Sequence, residues 1–562
     1  MRICFLCHTT SLRALPLIVG MAVAAGCSDS SGDLGSGGAG AVGGGAGGAA
    51  GAPDAPFLWQ PIRLDNATDL GFAAAPIPTG DQVPPGTITL TEVGDQAGLG
   101  DSSASGNSHG VGVGFIDVDN DGFEDILLAN GAGTNSELYR NDRDGTFTDV
   151  SVASGIVNIL GGVDTYSVAA GDYDMDGDLD IYVGAHPNDV LLQNDGSGSF
   201  VDATSAAGAG GPASSQPGSA SKIGAWGDYN GDGWLDIAVA SSTFADQPEN
   251  GYLLRNDGDG TFTDVTEETN FAAAPTGNPC AVLWSDYDSD GDQDVWVWND
   301  RGSATENRVL LRNDGGVFSD VTVAAGITNS VSNPMGIDGA DADHDGFLDY
   351  YISDINGNPF MHSNRNGTFS DIQNEAGAEG EFGWGLGFED FNADTWPDIF
   401  VAQEDDADYL TFTNLGMSPP RFTEQRWKHA AVGNGHNVAV AFADYDHNGT
   451  IDIVTASTSG SRMNLYRNDT DLGSQTWLEV RVRSTPGTGS LGGISGRVVV
   501  KTGDVVQFRD LTGGSSRASQ NAMSVRFGLG QWTGAEWVAI LWPDGRQMAV
   551  LGVEGNQVLA LP

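Results

Sequence analysis

The nine residues DYDMDGDLD at 172–180, followed at once by IYVGAH at 181–186, decide how this chain folds. Acidic side chains stand at positions 1, 3, 5, 7 and 9 of the run, and Gly177 stands at position 6. A hard cation such as Ca2+ takes about six to eight oxygen ligands, which alternating side chains of a tight loop bring to one point. Gly at position 6 permits the sharp turn, position 7 offers its carbonyl, and the Asp at position 9 closes the site. An EF-hand opens in the same way but needs flanking helices and a later Glu. Here an apolar, β-branched segment follows instead, which is a strand signal.

The pattern D-x-[DN]-x-[DN]-[GT]-x-x-D occurs seven times, with starts 49 to 58 residues apart. The expected metal ligands of the first loop are Asp117, Asp119, Asp121, the Phe123 carbonyl and Asp125, and those of the second are Asp172, Asp174, Asp176, Asp178 and Asp180. The third offers Asp228, Asn230, Asp232, Trp234 and Asp236; the fourth offers Asp286, Asp288, Asp290, Asp292 and Asp294. Asp341, Asp343, Asp345, Phe347 and Asp349 form the fifth. The sixth has Asp390, Asn392, Asp394, Trp396 and Asp398, and the seventh has Asp444, Asp446, Asn448, Thr450 and Asp452. Up to seven Ca2+ ions are therefore expected. The sixth site is expected to be the weakest, because Thr395 stands where the turn wants Gly and a β-branched residue resists positive φ.

Each loop sits between strands. A Gly-rich apolar run precedes it (GVGVGFID at 110–117, WGLGFED at 384–390), and DILLAN-like segments follow. A hairpin partner such as ELYRND at 137–142 comes next, and most repeats add a last strand such as GTFTDV at 145–150. Four short strands per repeat of about 55 residues read as one propeller blade. Residues 88–93 (ITLTEV) match the last strand but precede the first loop, so closure of the ring through the N-terminal strand is expected, which removes exposed strand edges. The expected fold is all-β: a seven-bladed β-propeller over 88–470 followed by a small C-terminal β-domain over 475–562.

These repeats resemble the FG-GAP/VCBS repeats of integrin α-subunit propellers, a likeness that implies calcium-binding loops between strands. The segments WLEVRVRS at 477–484, GGISGRVVVKTGD at 492–504, SVRFGLG at 524–530 and LWPDGRQ at 541–547 resemble the ASPIC/UnbV domain. Together they resemble the cartilage-acidic-protein-like family. Two departures stand out: GGSSRASQ at 513–520 lacks the Gly-Tyr that relatives place before Ser-Gln, and Arg526 replaces a usual His. The tail also changes composition, with eight Lys/Arg against six Asp/Glu over 475–562. Docking of this tail on an acidic propeller face is one expectation; a ring that folds without it, in a chain ending near Asp471, is another.

Charge bounds the partners. With 24 Lys+Arg against 76 Asp+Glu the formal charge is −52, which repels nucleic acid and anionic membrane surfaces. Membrane contact is expected through a lipid only. Arg2 and Arg13, the apolar run Ala14–Ala25 and VAAGC at 23–27 resemble a bacterial lipoprotein signal (1–26), with lipidation at Cys27. A Gly/Ala/Ser-rich tether (27–56) and an N-terminal extension (57–87) follow. Cys4 and Cys7 fall within the cleaved signal, so Cys280 is the one other thiol of the mature chain and forms no internal disulfide. Export to an outer membrane or cell surface, as a monomer, is the expectation.

No catalytic residues are assigned. GNSHG at 106–110 has the GxSxG spacing, but it leads into a strand of an all-β chain rather than a strand-to-helix elbow. His109 and His436 precede the first and seventh loops, where a structural role suits them. His344 and His447 at loop position 4 are expected to face solvent. The tryptophans flanking the loops (Trp226, Trp284, Trp384, Trp234, Trp296, Trp298, Trp396) suit packing between blades, or sugar stacking where exposed. Two function classes follow: a surface binding or adhesion protein for a protein or glycan on the propeller loops, or a lyase-like polysaccharide-active enzyme.

Overall fold

A computed structural model describes residues 86–561 apart from 101, 103–110, 132, 213–221, 242–250, 272–277, 301–307, 328–332, 404–407, 429–436, 459–462 and 484–491. Cys27, the 106–110 motif, His109 and His436 lie outside the described residues. Seven four-stranded antiparallel sheets follow one another along the chain. Their innermost strands are Gly112–Ile116, Asp164–Gly171, Lys222–Gly227, Asn278–Ser285, Pro334–Ala340, Gly383–Glu389 and Asn437–Ala443. Each of these strands neighbours the next, and the seventh neighbours the first, so the sheets form a closed ring.

Closure occurs where the sequence places it. Leu90–Glu92 pairs antiparallel with Asn464–Asn468, in the register Leu90 with Asn468 and Glu92 with Tyr466. The first strand of the chain thereby completes the seventh blade. Apolar residues from adjacent blades share each interface: Ile126, Leu128 and Phe115 of blade 1 pack with Val454, Ala441 and Leu465 of blade 7. Small residues on the inner strands make room for a neighbour's ring. A Cβ on Gly227 would stand 2.5 Å from Trp284, so an aromatic residue of blade 4 lies flat on the backbone of blade 3. The Trp226 and Trp284 ring N–H groups donate to Ala169 and Ala225 of the preceding blade, both at 3.1 Å. Trp226, Trp284, Trp296, Trp298, Trp384 and Trp396 are buried, which fits packing and removes them as sugar platforms; Trp234 is half-buried.

The tail forms a three-stranded sheet (Ser524–Gly530, Thr476–Val482, Gln557–Leu561) and a four-stranded sheet (Val505–Asp510, Arg497–Thr502, Gly534–Leu541, Gln547–Glu554). It shares two cores with the ring. Leu478, Val480 and Phe527 cluster with Trp226 and Leu235, while Val499 and Phe508 cluster with Tyr350 and Leu348. Residues 513–522 enter the ring's centre and bond to its inner strands. Trp226 N–H donates to Gly513 O at 2.6 Å, Phe115 N–H to Gln520 O at 3.0 Å, Val168 N–H to Ala518 O at 3.3 Å and Leu386 N–H to Ser516 Oγ at 2.8 Å. The departure GGSSRASQ is thus a plug along the axis. The tail is thereby a structural partner of five or more blades, which bears out the expectation that it docks on the ring. No helix among the described residues is long and apolar enough to cross a membrane.

Candidate metal centres on the acidic loops

Each acidic loop joins the innermost strand of a blade to the second. Position 1 folds the loop on itself: Asp117 accepts from the N–H groups of Asp121 (2.9 Å) and Gly122 (3.0 Å), and Asp341 accepts from Asp345 (2.9 Å) and Gly346 (3.0 Å). Position 9 ties the loop to its sheet. Asp125 accepts from Val118 N–H at 3.0 Å and Asn141 N–H at 2.7 Å, and Asp236, Asp294, Asp398 and Asp452 repeat both contacts. The backbone is left-handed at position 6 throughout, from φ +87 at Gly233 to +100 at Gly177. Thr395 holds φ +88 in the same place, as its β-branched identity warned.

Members of the expected 1, 3, 5, 9 set converge in threes. Oxygens of Asp117, Asp119 and Asp125 lie within 4.8 Å of one another, as do those of Asp172, Asp174 and Asp180, and of Asp286, Asp288 and Asp294. In the fifth loop two groups are gathered, Asp341 with Asp343 and Asp345, and Asp343 with Asp349 and His362. Position 5 also shapes the turn: Asp121, Asp176, Asp232, Asp290, Asp345 and Asp394 each accept the N–H of position 7, and Asn448 does so from Thr450. Asp121 and Asp345 are further held by Arg143 and Arg365, each at 2.6 Å. Position 7 side chains bind neighbouring turns: Asp178 accepts from Asn120 at 2.7 Å, and Asp292 from Gly315 N–H at 2.8 Å.

The residues present fit a cation. Buried Asp119 Oδ1, Asp288 Oδ1 and Asp343 Oδ1, all at position 3, meet no donor among the described residues, nor do Asp349 Oδ2 and Asp444 Oδ1. A buried carboxylate oxygen without a partner is costly unless a cation completes it. Burial pushes Asp228 and Asp286 up to about 7, Asp125 to about 8 and Asp180 to about 9, against backbone hydrogen bonds or, at Asp286, Arg497, that act the other way. Several of these clusters could hold metal ions through positions 1, 3 and 9.

Loops 1, 6 and 7 are modified. Arg481 of the tail reaches into loop 1, donating to Gly122 O at 2.8 Å and Glu124 at 2.6 Å, with Asp117 at 3.4 Å. Arg526 donates to Asp444 of loop 7 at 2.6 Å, which gives the second departure from relatives a structural role. In loop 6, Asn392 Oδ1 accepts Asp394 N–H, leaving its buried Nδ2, a donor, without a partner. In loop 3, Asn230 Nδ2 turns to Asp232 at 2.8 Å. The position 4 histidines correct the solvent-facing expectation. His344 stacks on Trp396 and His447 on Phe123, both with ring centroids 4.0 Å apart. Each links its loop to position 7 of the following one around the ring.

One recurrent residue carries no reading from sequence. Asn141, Asn194, Asn256, Asn313, Asn414 and Asn468 end the third strand of six blades. Each donates its amide to position 2 of the preceding blade's loop, as Asn256 does to Tyr173 O at 2.9 Å. Five of them also bond to position 8 of their own loop. The signal was there in the repeated Asn of ELYRN, VLLQN and YLLRN. Blade 5 has Ser363 in this place.

The matching family models agree with this architecture. The FG-GAP-like repeat model matches residues 117–183, 228–297, 286–352 and 390–455, and the ASPIC and UnbV model matches 488–562. Cartilage acidic protein 1 of Mus musculus is 24% identical over 479 residues, covering 80% of this chain and 64% of that protein. The Homo sapiens protein is 25% identical over 477 residues, covering 80% and 63%. The chain therefore spans less than two thirds of the length of these relatives. Similar solved structures include an Agrocybe aegerita lectin that recognises non-reducing terminal N-acetylglucosamine (18% identity, TM-score 0.37, 63% of this chain and 87% of that one). Rhamnogalacturonan lyase YesW is another (13% identity, TM-score 0.39, 69% and 75%).

Proposed function

This chain is an FG-GAP-like repeat protein with a C-terminal ASPIC and UnbV domain, and we propose that it works as an exported, calcium-stiffened binding protein, anchored by a lipid on Cys27. The observation that supports calcium is the set of buried, unpartnered carboxylate oxygens at loop position 3. Oxygen-only loops of this kind suit a hard cation, which would draw positions 1, 3 and 9 together and stiffen each blade. Its role here is structural, holding the strands that carry the recognition surface.

The tail rests on the acidic-loop end of the ring, through Arg481, Ser495 and Arg526 on loops 1, 3 and 7. Among the propeller loops, we accordingly assign a protein or glycan ligand to those at the opposite end of the strands. The test is a calcium-loaded glycan and protein array with the purified protein, run beside melting curves in EDTA and in Ca2+. Saturable capture of one ligand class, lost when the metal is removed, supports the reading. A melting curve indifferent to both reagents defeats its calcium half, and unsaturated products released from a polysaccharide panel would replace binding with lyase chemistry.

A further inference from the structure

Blade 5 breaks the pattern of the ring at three adjacent positions. In blades 1, 3, 4 and 7 the third strand ends in Arg-Asn-Asp, and the Arg pairs outward with the Asp two residues on: Arg140–Asp142, Arg255–Asp257, Arg312–Asp314 and Arg467–Asp469, at 2.8 to 3.1 Å. Blade 5 reads His362-Ser363-Asn364 instead. The outward carboxylate is gone, and His362 turns inward, with Nδ1 donating to Asp349 Oδ1 at 2.8 Å. An imidazole nitrogen, Asp343 and Asp349 are thereby gathered within 4.8 Å.

The free ligand capacity of loop 5 lies with this group. Asp341 is occupied by two backbone N–H groups, and Asp345 by Phe347 N–H and Arg365. By contrast Asp343 Oδ1 and Asp349 Oδ2 are buried without a partner, in side chains 5% and 1% exposed. Asp343 keeps its other oxygen on Ser418 Oγ at 2.6 Å, which fixes the carboxylate's orientation. From these contacts we propose that loop 5 is a site for a borderline divalent transition metal, Zn2+ before others, held by Asp343, Asp349 and His362.

The chemistry distinguishes this site from the oxygen-only loops. Ca2+ takes oxygen ligands, whereas imidazole with carboxylates suits Zn2+ and its first-row neighbours. Two ligands on one tetrahedral ion with bonds of about 2 Å stand roughly 3.3 Å apart. The His362–Asp349 separation of 2.8 Å therefore has to open by only about half an ångström as the ion replaces the shared proton. The inference rests on the metal-loop reading for where ligands converge, but not on calcium.

The test is a Zn2+ titration of the purified protein by calorimetry in saturating Ca2+, repeated with Co2+ as a spectroscopic probe. One tight equivalent is expected, with nitrogen ligation visible in X-ray absorption. His362→Gln should weaken it more than about tenfold, since loss of even an outer-shell partner costs a metal site that much. His362→Arg serves as the second variant, because four other blades carry Arg there and fold. Equal Zn2+ binding by the natural protein and both variants, or none by the natural protein, overturns the proposal. Zn2+ binding through His362 in a protein that Ca2+ does not stabilise would sink the calcium reading and leave this one standing; a calcium shift without Zn2+ binding does the reverse.

Discussion

Thr395 shows how far a single residue is legible. The repeat asks for Gly at position 6, and the structure gives Thr395 the glycine-like φ of +88. A β-branched residue held there stores on the order of 1–3 kcal/mol of strain. Its N–H still donates to Asp390 at 2.8 Å, and its carbonyl accepts from His344 Nε2 at 2.9 Å, so the backbone of the loop is kept despite the side chain. Thr395→Gly is therefore expected to raise stability by about 1–2 kcal/mol, measured by urea unfolding. An unchanged midpoint would show that the loop carries no strain. The strain could be read from residue type alone. The inward-facing amide of Asn392 could not, because sequence gives the side chain and not which end of it faces the site. Nor could the stacked places of His344 and His447, since each one's partner is set by the ring and not by its own repeat.

At the scale of strands and loops, the nine-residue pattern located every blade, and the apolar, β-branched runs beside it located most strands. What it left out was the contact between blades. Asn256 is 1% exposed and bonds at once to Tyr173 O of blade 2 and Leu235 O of its own loop, while its backbone N–H holds Asp236. Asn256→Ala leaves two buried carbonyls unpaired at about 1–3 kcal/mol each. A loss of roughly 2–6 kcal/mol in urea unfolding is expected, with the transition remaining a single step because both blades depend on the same bonds. A loss below about 0.5 kcal/mol, the range of an ordinary surface change, would show that water replaces the amide. The arginines at position 5 went unread for a related reason: Arg143 and Arg365 lie some 20 residues beyond Asp121 and Asp345, on outer turns that bend back over them.

For the whole molecule, closure by Leu90–Glu92 was legible because the seven copies of each strand only balance with that segment included. The plug was not, since nothing in GGSSRASQ signals a hole of matching width. The ring and the tail together answer the problem of charge. Without metal, the folded-state values of Asp228, Asp286, Asp125 and Asp180 lie at about 7 to 9, above the unfolded value near 4. The folded chain then binds more protons than the unfolded one across that window, so stability falls as pH rises through it. In EDTA the melting temperature should drop between about pH 5 and pH 9, and Ca2+, which holds these groups ionised, should flatten the dependence. A flat curve in EDTA would mean that other cations do this work, and the tail supplies some of them. Arg481 and Arg526 place guanidinium groups on loops 1 and 7, and the plug bonds to inner strands around the axis. A chain ending at Asp471 loses both, and exposes Trp226, Leu235, Leu348 and Tyr350 where the shared cores were. At about 2–4 °C per kcal/mol, several kcal/mol of lost contact predicts a melting temperature lower by on the order of 10 °C in Ca2+. The drop on adding EDTA should also be larger than for the full chain, because two loops have lost their resident cations along with the metal. Equal melting temperatures and equal EDTA shifts for the two chains would show instead that the tail only rests on the ring and contributes nothing to holding it closed.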